Sequence, residues 1–158
     1  MTITIRRGES SDLETVQNLN KSLFDYEHSN GFYPDDSFNV NWPYEEAGTN
    51  YFKECLSPTL TSIVFMAETN GKPVGYIAGV YSNKAYRSKN PIAEIENMYV
   101  EEAYQHQGIG SRLVDTFTDW TKDNKVARIR VGAFAANEKA LIFYRKCGFH
   151  ELEIHLEN

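Results

Sequence analysis

Apolar and polar residues alternate from Thr2 to Arg6, which predicts a short strand. Ser11-Asp-Leu-Glu14 fits a capping box, and Leu13, Val16, Leu19 and Leu23 follow at helical spacing to about Glu27. Residues 29–50 are rich in Asn, Gly, Pro, Asp and aromatics and read as loop, with a helix near Tyr44–Leu56. Ser62–Glu68 and Val74–Tyr81 read as strands joined at Asn70-Gly71, a pair suited to the positive φ angles of a type I′ hairpin. After a basic connection with Lys84, Arg87 and Lys89, Ile92–Val100 reads as a strand whose parity breaks. Ile95 lies on one parity and Met98 and Val100 on the other, so a bulge near Glu96–Asn97 would restore one apolar face. A strand buried on both faces is the alternative. Ile109, Leu113, Phe117 and Trp120 then trace a helix, and Val126–Phe134 a strand. Asn137 offers an N-cap to a helix presenting Ala140, Phe143, Tyr144 and Cys147, with Gly148 at its end. Alternation from Phe149 to Leu156 predicts a last strand.

This order places a hairpin among interleaved strands and helices. It predicts one α/β domain over residues 1–158, with a mixed sheet and helices on its faces. The length suits a single core. Sixteen basic against 22 acidic residues give a formal charge of −6, which argues against nucleic acid as partner. No segment approaches the ~20 apolar residues of a membrane span, and the N-terminus lacks a signal peptide's apolar stretch. A cytoplasmic protein is expected, with Cys55 and Cys147 as reduced thiols. No metal site is expected: His150-Glu151 and His155 miss the H-E-x-x-H spacing by one residue.

Candidate chemistry concentrates between Ile92 and Phe149. Gln105-His-Gln-Gly-Ile-Gly110 lies between a strand and a helix. Gly108 and Gly110 permit a tight turn, and the helix start adds unpaired N–H groups and partial positive charge. The combination suits a phosphate or pyrophosphate. A P-loop is absent, and Leu113 stands where a dinucleotide fingerprint needs its third Gly. A different phosphate-ligand binder, such as a nucleotide module, is thereby disfavoured.

The same stretch resembles the GNAT superfamily of N-acetyltransferases. Glu94-Ile-Glu-Asn-Met-Tyr-Val100 is similar to its bulged central strand. Gln105-x-x-Gly108-x-Gly110 matches the acyl-CoA motif [Q/R]-x-x-G-x-[G/A]. Residues 137–149 match N-x-x-A-x-x-F-Y-x-x-x-G-F. The implied fold is α/β (α+β), a mixed, mostly antiparallel central sheet with helices on both faces. The implied co-substrate is acetyl-CoA. Its pantetheine amides would pair with the backbone of Met98 and Val100, with Tyr99 between them in the same binding stretch. Its pyrophosphate would lie on Gln105, His106, Gln107, Gly108, Ile109, Gly110 and Ser111. Asn137 would hydrogen-bond it, and Tyr144 would stand by the sulfur. Homodimerisation through sheet edges or helices is a further implication.

The implied reaction is direct attack of a primary amine on the thioester. An alkyl amine arrives protonated at neutral pH, so a carboxylate must take its proton. Glu96, at the expected bulge, is the first choice and Glu94 the second. Met98 N–H would polarise the carbonyl, and Tyr144 would donate to the leaving sulfur. Between Ser22 and Phe52 the chain has no Lys or Arg, six acids and nine of its 21 aromatics. This segment, with Glu27, Tyr33, Asp35 and Asp36, is the expected wall for a cationic acceptor, a small-molecule amine or a peptide amine. The alternative is a non-catalytic acyl-CoA sensor.

Overall fold

Period-2 patterning builds a five-stranded sheet from β1 (Ile3–Arg7), β2 (Ser62–Thr69), β3 (Lys72–Ser82), β4 (Ile92–Val100) and β5 (Arg128–Val131). The strands lie side by side in chain order, antiparallel except for the parallel β4–β5 pair. Four α-helices complete the computed structural model: α1 (Leu13–Ser29), α2 (Glu46–Leu56), α3 (Ile109–Asp123) and α4 (Glu138–Lys146). The structure describes every residue except Met1, Pro34, Lys84, Ala85, Arg87, Lys89 and Asn90. The expected basic connection, with Lys84, Arg87 and Lys89, thus lies largely outside the described residues.

β2 shows why both faces carry helices. Val64 and Met66 point to one side, where Val16 and Leu19 of α1 and Phe52, Cys55 and Leu56 of α2 cover them. Ile63, Phe65 and Ala67 point to the other, under Ile109, Leu113, Val114 and Phe117 of α3. The β2–β3 turn places Asn70 at φ 51° and Gly71 at φ 80°, as the Asn-Gly pair predicts.

The central strand is bulged. Ala78 pairs with Asn97, whereas Gly79 pairs with Ile95, leaving Glu96 unopposed. A Cβ on Gly79 would lie 2.5 Å from both the Glu94 carbonyl and the Phe117 ring, so this glycine lets α3 close onto the bulge.

Three expectations need correction. The N-cap lies before Ser11: Glu9 caps a 3-10 turn over Ser10–Asp12, Asp12 accepts the Glu9 N–H at 2.8 Å, and α1 begins at Leu13. Arg6 outcompetes the Ser11–Glu14 pairing by gripping both Asp12 oxygens at 2.7 and 2.8 Å while its Nε reaches Glu68 at 2.7 Å. β5 spans only Arg128–Val131 rather than residues 126–134, because its pairing with β4 ends at Ile95–Val131. The final strand does not form. Leu152, Ile154 and Leu156 are 63%, 84% and 91% exposed, so alternation there meets no surface to cover it.

The Arg6 guanidinium holds the buried Asp12 carboxyl below its ordinary range. Its contribution to stability is present above the unfolded pKa and fades as pH falls below about 4. Asp12→Ala is expected to destabilise the fold by about 1.5 kcal/mol at pH 7, through the lost cap and ion pair. Urea titration at pH 7 measures this, and a change under 0.5 kcal/mol would show the pair to be dispensable.

Candidate active site

The site begins where two strands separate. β4 pairs with β5 only from Ile92 to Ile95, then continues through the bulge to Val100 with β3 alone beside it. The backbone of residues 97–100 therefore has no strand on its β5 side among the described residues. An extended amide-bearing ligand can add there as a strand would.

Next to this opening the chain turns into α3. Gly108 has φ 81° and is the N-cap, with no side chain satisfying the helix's first N–H groups. Gln105 ties the turn to the strand by donating to the Val100 carbonyl at 2.9 Å. Gly110 lets α4 approach, since a Cβ there would meet the Phe143 ring at 3.2 Å. Free N–H donors, the helix dipole and exposed Gln105, His106 and Gln107 leave this turn open to a pyrophosphate. These features fit the phosphate and pantetheine portions of acetyl-CoA.

α4 carries Tyr144. Asn137 caps the helix, accepting the Ala140 N–H at 3.1 Å, and Gly148 ends it at φ 90°. The Tyr144 ring packs edge-on against Phe143 and Phe149, with centroids 5.1 and 5.7 Å away. Burial raises its phenol well above the ordinary range, with Cys147 and Glu27 adding to the shift. It therefore stays a donor across the working pH range. Burial pushes Glu27 up to about 7. Cys55 is pushed up by burial to about 11 and Cys147 is also raised, so neither thiol is primed as a nucleophile.

On the α1–α2 side a cavity of about 420 Å³ opens beside the bulge. Glu96 and Asn97 line it at the strand, with Phe24, Tyr33, Phe38, Trp42 and Tyr51 forming its walls. The structure thus gathers Glu96 and Tyr33 at one cavity, whereas Glu27, half-buried on α1, is not among its lining residues. Glu94 is half-buried on the same strand, paired with Val80 and Arg130. Asp35 and Asp36 are exposed and are not among the cavity's lining residues; the Asp35 carboxylate accepts the Ser37 N–H at 2.8 Å and the Ser37 hydroxyl.

Sequence reasoning missed the polar chain beneath this cavity. Asn20, fully buried, donates to Tyr76 Oη at 2.7 Å and to Asn97 Oδ1 at 3.2 Å, and Asn97 donates to Tyr51 Oη at 3.4 Å. One signal was available: Asn20 follows Val16 by one helical turn, on the inward stripe of α1.

A bulged central strand, a parting parallel pair and a glycine-turned helix start together define an acyl-transferase architecture. The sequence matches the acetyltransferase (GNAT) family over residues 19–149, and the chain belongs to that family; it is an N-acetyltransferase. It is 30% identical to an uncharacterized N-acetyltransferase of Methanocaldococcus jannaschii over 57% of this chain, a match spanning 40% of that relative's length. It is 24% identical to a thialysine N-epsilon-acetyltransferase of Bos taurus, over 95% of this chain and 85% of the relative. The fold is similar to that of AAC(6')-Iy in complex with the bisubstrate analog CoA-S-monomethyl-acetylneamine, with TM-score 0.77, 16% identity and coverage of 100% and 97% of the two chains.

Proposed function

We propose that the protein transfers an acetyl group from acetyl-CoA to the primary amine of a small cationic molecule by direct attack on the thioester. The observation that carries this reading is the free edge of β4 after the bulge, flanked by the uncapped start of α3. Relatives named for thialysine and aminoglycoside acetylation, and a CoA-containing structural neighbour, support the same reaction class.

Acetyl-CoA supplies the activated acyl carbon. The chain's own residues supply binding and proton management. The backbone of Met98, Tyr99 and Val100 holds the pantetheine arm, and residues Gln105–Ser111 hold the pyrophosphate. Asn137 orients the arm from α4. Glu96 takes the proton of the incoming ammonium, directly or through water, with Glu94 the second carboxylate on the strand. Tyr33 receives the acceptor on the cavity wall. The Met98 N–H polarises the thioester carbonyl, and Tyr144 donates to the departing sulfur.

Free-thiol release from acetyl-CoA with a panel of amines tests the reaction, and thermal shift tests the co-substrate. Acetyl-CoA at about 100 times its Kd should stabilise the protein by about 2.7 kcal/mol. Absence of both signals rejects the proposal. Gly108→Val probes the pyrophosphate turn. A β-branched residue at φ 81° distorts the turn at a cost of about 1–3 kcal/mol. The KM for acetyl-CoA is expected to rise about tenfold, equivalent to about 1.4 kcal/mol. An unchanged KM would place the pyrophosphate elsewhere.

A further inference from the structure

We infer that the acceptor is an amine with a single cationic nitrogen on an uncharged, ring-bearing or long aliphatic body, not a polycation. This rests on the acetyl-transfer reading above and adds the shape and charge of the second substrate.

The argument starts from the cavity's walls. Tyr33 stacks on Phe38 at 4.5 Å, Phe38 meets Phe24 at 4.9 Å, Phe24 meets Trp42 at 6.1 Å and Trp42 meets Tyr51 at 5.6 Å. Five rings thus form one continuous apolar wall. Phe134, in the segment after β5, braces its outer end through Tyr33 and Phe38 at 5.4 and 6.5 Å. The volume, about 420 Å³, suits a small molecule.

Charge then limits what the wall can accept. Glu96 is the one carboxylate among the lining residues, and it lies at the bulge, where β4 leaves β5. The reacting nitrogen belongs at that end. The remaining polar lining groups, Ser37, Asn39 and Asn97, are neutral. Asp35 and Asp36 are exposed and are not among the lining residues. A second or third ammonium would leave water to face rings and neutral amides. Cation–π contact offsets only part of that desolvation. An uncharged ring or alkyl chain loses nothing polar on entering and gains apolar burial.

The test compares kcat/KM for 2-phenylethylamine, hexylamine, spermidine and kanamycin by free-thiol release. 2-Phenylethylamine and hexylamine are expected to exceed spermidine and kanamycin by at least tenfold. Phe38→Ala should then lower kcat/KM for 2-phenylethylamine about tenfold through KM, with a smaller effect on spermidine. Preference for spermidine or kanamycin, or an equal loss for all four amines in Phe38→Ala, overturns the inference and leaves acetyl transfer standing. No release from any amine, with no thermal shift on adding acetyl-CoA, overturns the acetyl-transfer reading and this inference with it.

Discussion

Tyr144→Phe is expected to lower kcat about 100-fold while moving the KM for acetyl-CoA by less than about threefold. The size follows from the role. A hydrogen bond to a developing charge contributes about 1.5–3 kcal/mol, which is roughly 10- to 150-fold in rate. The role is donation without complete transfer. A free phenol, pKa about 10, is already a weaker acid than a thiol at about 8.5. Burial and the nearby Cys147 and Glu27 raise Tyr144 further. The proton stays mainly on the phenol oxygen while the bond to sulfur strengthens. The substitution keeps the ring, and with it the contacts to Phe143 and Phe149, so stability should change little. Steady-state kinetics with saturating acetyl-CoA, alongside a thermal melt of each protein, reads both quantities. A kcat within threefold of the parent would remove Tyr144 from the reaction and leave it a packing residue of α4.

Most of what positions this tyrosine was legible in the sequence, for a local reason. Asn137 and Gly148 delimit α4 by short-range chemistry, a side-chain cap and a positive φ, and each acts within a few residues. The bulge was legible because Ile95 and Met98 cannot share a face of a regular strand, and pairing across to Gly79 and Ala78 resolves the conflict by leaving out Glu96. Features that depend on distant partners were harder to read. The Asp12 cap is organised by Arg6 and tied through it to Glu68 on another strand. Alternation in the tail carried the same signal as a true strand, yet no edge receives Leu152, Ile154 and Leu156. The aromatic segment announced an acceptor wall by composition. Its organisation into a continuous row ending at Glu96 comes from the way α1, α2 and the intervening loop fold back over the bulge.

Glu27 shows how such tertiary placement can set a property that no motif encodes. Its carboxyl is half-buried near the end of α1, and burial raises it from an ordinary 4.5 to about 7. A raised carboxyl pKa means that the folded state holds the proton more tightly than the unfolded state. Stability therefore falls as pH rises from about 4.5 to about 7 and levels off above that. The full shift corresponds to about 3 kcal/mol, reduced to about 2 kcal/mol by the water that still reaches the group. Glu27→Gln removes the titration. At pH 4 the two proteins should unfold at nearly the same urea concentration, because the parent carboxyl is then mostly protonated in both states. At pH 8 the Gln protein should be more stable by about 2 kcal/mol, or roughly 4–8 °C in melting temperature. Asp12 does not blur the comparison, since its titration lies below this window. Equal stability of the two proteins at pH 8 would show that Glu27 is not desolvated. The expected gain also bears on function. The single cationic nitrogen of the acceptor is assigned to Glu96, so the cost of a charged Glu27 belongs to the fold and not to substrate pairing. The more stable Gln protein should accordingly keep the parent's KM for its amine. A KM raised tenfold or more would instead place Glu27 against the substrate's cation.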